Sequence, residues 1–117
     1  MDNEKLISAI TEKWGARQEY LTDLFRNREK AAIVEPMGEA IDDFLAFLYF
    51  LNGKGTPDKK TLQQGLIGLK YKPINLEERL LFILKKPNQY HSFVQLNELY
   101  HELLKLHVKM KILMNKK

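Results

Sequence analysis

The sequence has no cysteine among its 117 residues. Disulfide bridges, thiolate nucleophiles and cysteine-ligated metal sites are therefore excluded. Small secreted domains often depend on disulfides for stability, so the same absence favours a cytoplasmic protein.

Long hydrophobic runs are also lacking. The most apolar stretch is residues 44–51, only eight residues long, whereas a helix needs about 20 residues to span a bilayer. Residues 1–5 have neither the basic start nor the apolar segment of a secretory signal peptide. We therefore expect a cytoplasmic chain with no membrane partner.

What the sequence does contain is apolar residues at helical spacing. Hydrophobic residues make up 44% and charged residues 29%, a balance typical of a globular domain. No segment alternates apolar and polar residues as a half-buried strand does. We predict one domain over residues 1–117, an all-α single-domain helical bundle of about five helices with a long C-terminal helix.

Start and stop signals predict the first helix boundaries. The helical pattern begins near Asn3, and Gly15 leaves open whether it forms one bent helix or two. Residues 27–34 are expected to be a connection. Glu35 and Pro36 are expected to open the second helix, because proline suits a first helical turn.

The next signals lie in a segment that contains glycine and proline. Residues 52–53, Asn-Gly, tolerate the left-handed conformation of a helix end and predict a stop. Thr56 followed by Pro57 is typical of an N-cap, and it predicts a short helix through Leu62 and Leu66.

Two capping boxes are predicted in the second half of the chain. Asn75 with Glu78 has the spacing of the first box, and that helix should end at Pro87. Ser92 with Gln95 has the spacing of the second, and it predicts the start of the longest helix.

The longest helix carries a heptad-like stripe. Its members alternate steps of three and four residues: Phe93, Leu96, Tyr100, Leu103, His107, Met110 and Met114. Further leucines widen the stripe beyond the seam of a two-stranded coiled coil. We therefore interpret the stripe mainly as core that packs against the helix containing residues 44–51.

Charge is unevenly distributed. Residues 1–51 carry six basic and ten acidic side chains, a net −4, and residues 52–117 carry thirteen basic and five acidic, a net +8. This asymmetry fits an anionic partner for the second half, attraction between the halves, or solubility alone. The candidate surface for an anionic partner, including nucleic acid, comprises Lys70, Lys72, Lys85 and Lys86.

Catalytic and metal-binding patterns are weak. Glu98, His101 and Glu102 share one helix face, but the Glu-x-x-His spacing of di-iron bundles is not repeated on a second helix. The acidic residues Glu39, Asp42 and Asp43 could hold Mg²⁺ with a phosphate substrate, yet their place in a first helical turn also suits the helix dipole. We predict no catalytic residue, no metal and no cofactor.

One segment has a more specific pattern. The run Asn75-Leu76-Glu77-Glu78-Arg79-Leu80, followed by Phe82-Ile83, Pro87, Tyr90-His91-Ser92-Phe93-Val94-Gln95-Leu96, Leu99-Tyr100 and Lys105-Leu106, resembles the YpoC-like family of small bacterial proteins. The resemblance covers residues 69–109. The resemblance implies no particular activity. Members of this family are often encoded near replication and repair genes, which favours a nucleic-acid-associated function.

This segment also predicts a candidate binding corner between two helices. Arg79 could pair with a carboxylate or with carbonyls of residues 87–91. Tyr90 and His91 would then lie before the positive end of the long helix, where an anion can bind. The corner comprises Glu78, Arg79, Tyr90, His91, Ser92 and Gln95. The alternative is that these residues only fix the turn.

Three functions follow. The leading hypothesis is a non-enzymatic interaction or accessory module that binds an unknown protein partner, or itself, through the long helix. The second is a nucleic-acid-associated accessory protein. The third is an enzyme that acts on a nucleotide or phosphate substrate.

Overall fold

A computed structural model describes residues 3–115, with Met1, Asp2, Lys116 and Lys117 outside the described residues. The two ends of the predicted domain, and the first two residues compared with a signal peptide, therefore lie outside them. None of the helices in the described part is both long and apolar enough to cross a membrane.

Residues 3–115 form five α-helices, with no strand among them. The helices are α1 (Asn3–Arg26), α2 (Lys30–Leu51), α3 (Leu62–Ile67), α4 (Leu76–Lys85) and α5 (Tyr90–Asn115), and a 3-10 turn (Lys59–Thr61) precedes α3. The predicted all-α bundle with a long last helix is confirmed. The 26 residues of α5 extend about 39 Å.

The first helix is one continuous element of 24 residues. Gly15 does not break it, because the glycine lies on the exposed side while buried Trp14 and Leu21 fix the helix to the core on either side. Burial of an apolar face outweighs a propensity cost of about 1 kcal/mol for one glycine.

The second helix begins earlier than predicted. Arg28 has a left-handed φ of 56°, which turns the chain so that α2 starts at Lys30 and Pro36 lies inside the helix. The connection expected over residues 27–34 covers only residues 27–29, and the predicted start at Glu35 is wrong. Ile33 and Met37 are both fully buried on one face, and their packing outweighs the backbone hydrogen bond that Pro36 cannot donate.

The end of α2 is as predicted. The helix ends at Leu51, and Gly53 takes a left-handed φ of 69°. The Asn52 side chain then ties this end to a distant segment. Its Nδ2 donates to the carbonyl oxygens of Leu48 and Tyr71, each at 2.8 Å, and its Oδ1 accepts from the Tyr71 N–H at 2.8 Å.

Two of the predicted helix starts, at Thr56 and Ser92, are wrong, whereas Asn75 precedes α4 as predicted but without the predicted capping bond. Asp58 rather than Thr56 caps the turn before α3, accepting from the Lys60 N–H at 2.9 Å. Asn75 sits before α4 in a left-handed conformation, φ 58°, and within the described residues its side chain makes no capping bond. Ser92 lies inside α5, which begins at Tyr90. In each case the conformation of the preceding turn decides which side chain can reach the free N–H groups at the start of the helix.

The core forms where α5 crosses α2 and α1. Tyr100 stacks on Trp14, with ring centroids 4.3 Å apart, and contacts Phe44 edge-on at 5.3 Å. Its hydroxyl donates to the Ala40 carbonyl at 2.7 Å. The long helix therefore lies against α2 as expected.

Candidate functional site

The predicted corner between α4 and α5 is built around Arg79. Its Nη1 and Nη2 donate to the two carboxylate oxygens of Glu102 at 2.9 and 2.6 Å, and its Nε donates to Gln95 Oε1 at 3.1 Å. A further Nη1 bond at 3.1 Å reaches the Ile74 carbonyl. Of the two alternatives predicted for Arg79, a carboxylate or carbonyls of residues 87–91, the structure has the carboxylate, and the carbonyl that accepts is that of Ile74.

The electrostatics of this corner do not favour an anion. Glu98 lies 3.7 Å from Arg79 Nη2, besides the closer Glu102, so one cation faces two carboxylates. The hydrogen bond to Glu102 raises the pKa of Arg79, and the same bond lowers the pKa of Glu102. The guanidinium donors are therefore committed to the protein's own oxygens.

Four of the six predicted corner residues meet around one small pocket. It has a volume of about 190 Å³ and is lined by Glu78, Arg79, Phe82, His91 and Gln95. His91 contacts Phe82 edge-on, with ring centroids 5.2 Å apart. The pocket is too small for most ligands of metabolite size.

The other two corner residues point elsewhere. Ser92 is fully buried, and its Oγ donates to the Lys86 carbonyl at 2.6 Å, which closes the end of α4. Tyr90 packs edge-on against Phe25 at 5.6 Å. It lines a separate groove of about 540 Å³ beside Arg28 and Lys30, two cations that sequence reasoning did not connect with it because they lie about 60 residues earlier.

The four lysines of the predicted anionic-partner surface occupy both ends of α4. Lys72 is half-buried, with Nζ 3.1 Å from Glu77 Oε1 and donating to the Leu66 carbonyl at 2.9 Å. Lys70 Nζ lies 5.2 Å from the centroid of the Tyr71 ring. Lys85 and Lys86 are exposed at the other end, about 15 Å away along ten residues of helix.

The acidic residues of α2 are separated by their own partners. Asp43 accepts from Arg17 Nη1 at 2.9 Å, and Asp42 lies 3.2 Å from Lys59 Nζ. Within residues 3–115 no group of three or more histidine, aspartate or glutamate side chains converges as metal ligands would. The Glu98 and Glu102 spacing on α5 is explained by their shared contact with Arg79.

The structure differs most from the predicted core at the C-terminal end of α5. The stripe is buried from Phe93 to Leu103, is half-buried at His107 and Met110, and is 71% exposed at Met114. Three more apolar side chains of this end are over half exposed: Val108, Ile112 and Leu113. The stripe is therefore core over its first three turns and surface over its last two.

This exposed end borders an apolar groove, here called the α5 groove. It has a volume of about 540 Å³ and lies between the start of α1 and the ends of α2 and α5. It is lined by Glu4, Ile7, Phe50, Leu51, His107, Met110, Lys111 and Met114. Sequence reasoning named the methionines but missed the α1 and α2 residues, because only the tertiary packing brings them beside α5.

The titratable groups at the α5 groove are Glu4, His107 and Lys111. Lys111 Nζ pairs with Glu4, and that hydrogen bond is the main cause of the lowered pKa of Glu4. His107 contacts Phe47 edge-on at 6.0 Å. Burial is the main cause of its lowered pKa, with Lys111 adding to the effect and Glu4 opposing it.

Comparison with known proteins places the chain among its relatives. The profile of the family described as YpoC-like protein matches residues 4–115. The "Uncharacterized protein YpoC" of Bacillus subtilis (strain 168) is 37% identical over 106 residues, which is 89% of this chain and 63% of that protein. The chain thus spans less than two thirds of the length of this curated relative. No solved structure matches.

Proposed function

We propose that this chain, which belongs to the YpoC-like family, is a cytoplasmic, non-enzymatic interaction module that binds a protein partner through the exposed end of α5. A single observation carries the proposal. The apolar stripe of α5 continues for two turns beyond the part that the chain's own helices bury, and Leu113 and Met114 are 57% and 71% exposed there.

A cluster of exposed apolar side chains is energetically unfavourable for a protein that remains a monomer in water. Contiguous apolar surface rimmed by polar residues is typical of protein–protein interaction sites. Met110, Leu113 and Met114 lie side by side on one face of the last two turns of α5, and Leu113 and Met114 are more than half exposed there. The α5 groove beside them adds Ile7 and Phe50.

The geometry gives less support to the other two functions. A nucleic-acid surface needs cations on one face, but Lys72 is engaged by Glu77, and Lys85 and Lys86 lie at the far end of α4. A phosphate-acting enzyme needs convergent acids, but Asp42 and Asp43 are each paired with a different cation.

The test uses site-specific crosslinking with the full chain. A photo-crosslinking amino acid replaces Leu113 in one sample and Tyr20, equally exposed on α1, in the control. A protein captured at position 113 and not at position 20 is then purified. Its affinity for the chain should fall at least about tenfold in the variant L113E and by less than about twofold in Y20E.

Three results would overturn the proposal. Position 113 captures no protein beyond the control, or the purified protein binds L113E as well as the original chain. Alternatively, nucleic acid copurifies with the chain, and its binding weakens steeply with salt and with the double change of Lys85 and Lys86 to glutamate. That last result would establish the nucleic-acid function in place of the one proposed.

A further inference from the structure

We infer that the groove of about 540 Å³ beside Arg28, Lys30 and Tyr90, here called the α2–α5 groove, binds a free nucleotide. The phosphate lies at Arg28 and Lys30, and the base lies against Tyr90. The inference goes beyond the proposed protein interaction and does not rest on it. Tyr90 and Met114 are at opposite ends of the 26-residue α5, about 36 Å apart.

The positive half of the groove consists of two cations. Arg28 precedes α2 and Lys30 is its first residue, and both side chains are exposed. Among the described residues neither of them takes part in an ion pair, whereas Arg79 donates to Glu102 and Gln95. Two unpaired cations match the charge of a phosphate monoester, and a guanidinium can donate to two phosphate oxygens at once.

The starts of two helices strengthen this positive field. Both α2 and α5 begin at the groove, and neither has an acidic residue in its first turn. Glu29 is adjacent in sequence, but its side chain makes no capping bond and does not line the groove. A helix start is favourable for an anion and unfavourable for a cation such as Lys30. A phosphate bound between Arg28 and Lys30 would therefore relieve repulsion that the chain alone leaves in place.

The other half of the groove offers an aromatic ring with amide groups beside it. Tyr90 is 61% exposed, and its ring is supported by Phe25 and Phe93, with centroids 5.6 and 6.1 Å away. Exposed aromatic rings stack on nucleobases of any kind. Asn88 and Gln89 also line the groove, and their amides carry both donors and acceptors, as the edge of a base does.

The two halves together select a nucleotide. Inorganic phosphate would use only Arg28 and Lys30, and a sugar phosphate would leave the ring of Tyr90 without a partner. The volume of the groove falls in the range of about 300–1,000 Å³ that is typical of small-molecule sites. A nucleic-acid strand fits less well, because it needs a longer track of cations, and Lys72 is engaged by Glu77.

The inference is tested by titrating the full chain with the monophosphates of adenosine, guanosine, cytidine and uridine, one at a time. At least one of them should bind about tenfold or more tightly than ribose phosphate and than its own nucleoside. Nuclear magnetic resonance locates the site. The backbone signals of Lys30 and Tyr90 should shift on binding, and those of Met110 and Met114 should not.

A double variant tests the cations. R28G with K30Q removes both charges, and glycine adopts the φ of 56° at position 28 freely. This variant should bind the best monophosphate at least about tenfold more weakly. The matched control changes Lys105 and Lys109 to glutamine, which removes the same charge from an exposed part of α5 far from the groove. The control should bind within about twofold of the original chain.

A second variant tests the aromatic ring. Y90L keeps an apolar side chain beside Phe25 but has no ring to stack on a base. Its preference for the best monophosphate over ribose phosphate should fall to below about threefold. Its affinity for ribose phosphate should stay within about twofold of the original, because both cations remain.

Four results would overturn the inference. The first is that none of the four monophosphates binds. The second is that ribose phosphate binds as tightly as the best monophosphate, which would show a site for a simple anion. The third is an equal loss in the R28G and K30Q variant and in its lysine control, which would show a general charge effect. The fourth is that a single-stranded oligonucleotide binds more tightly than any monophosphate, which would assign the groove to nucleic acid.

Discussion

Arg79 on α4 and Glu102 on α5 form a two-pronged ion pair across 23 residues of sequence, with Nη–Oε distances of 2.9 and 2.6 Å. The Arg79 side chain is only 18% exposed. The two side chains are aligned and partly shielded from water. Their ion pair links α4 to α5 at a point well away from the turn between these helices.

We expect the pair to contribute measurably to stability. Replacing Arg79 by methionine should lower the free energy of unfolding by about 1–2 kcal/mol, because Glu102 then loses its partner near the surface. A double-mutant cycle with E102Q should give a coupling energy above about 0.5 kcal/mol in urea unfolding.

The Arg26–Asp23 pair provides a matched control. Its side chains are 71% and 67% exposed and 3.4 Å apart, so the same cycle there should give a coupling near zero. Equal coupling for the two pairs would contradict the role assigned to Arg79 and Glu102.

The half-buried His107 should make stability depend on pH. Burial lowers its pKa in the folded chain, while the unfolded chain keeps the ordinary value of about 6.5. As pH falls through that ordinary value, the unfolded chain takes up a proton that the folded chain does not, so the folded state loses stability until pH passes below the folded-state pKa. H107F should lose less stability than the original chain between pH 7.5 and 5.5, and an NMR titration that placed the His107 pKa above its ordinary value would contradict the expectation.

The left-handed Asn75 gives a prediction that separates backbone conformation from capping. Serine is a good N-cap but resists a left-handed φ, whereas glycine adopts it freely. With φ 58° at this position, N75S should destabilise the chain by about 1 kcal/mol and N75G should be close to neutral. Thermal unfolding that ranked serine above glycine would instead support the capping box.

The buried aromatic side chains Trp14 and Tyr100 should differ in how much stability the chain loses when each gives up its polar group. Among the described side chains, the Trp14 indole N–H is buried with no hydrogen-bond acceptor, whereas the Tyr100 hydroxyl donates to the Ala40 carbonyl. W14F should stay within about 1 kcal/mol of the original stability, since loss of the unpaired N–H offsets the smaller ring.

The matched change at the neighbouring ring removes a hydrogen bond instead. Y100F should cost about 1–2 kcal/mol, because the buried Ala40 carbonyl loses its donor. Chemical denaturation of both variants gives the comparison, and W14A, expected to cost about 3–5 kcal/mol, checks that the site is sensitive. A larger loss in W14F than in Y100F would count against this reading.

Much of the fold follows from local pattern. The spacing of apolar residues predicts that α1 and α5 are helices, and the predicted stops at Asn52 and Pro87 follow closely on the last residues of α2 and α4. These signals succeed because a glycine, a proline or an apolar face acts on the backbone within a few residues.

The capping hydrogen bonds predicted for Thr56, Asn75 and Ser92 are absent for a common reason, which is that a polar side chain has more than one possible partner. Ser92 can satisfy a hydrogen bond with its own helix or with a carbonyl of another segment, and the structure pairs it with Lys86. Arg79 needed an oxygen partner, which the sequence indicated, but the choice of Glu102 depends on how α4 lies along α5. Whether the six-residue corner and the four lysines bind a ligand stays a prediction.

The exposed end of α5 shows the division most clearly. The sequence by itself determined that α5 is a long amphipathic helix, since spacing of three and four residues sets one apolar face whatever surrounds it. Only the tertiary structure decided which part of that face is core. Burial depends on neighbours that are distant in sequence, and α1 and α2 cover the face at Leu103 but leave Met114 in water.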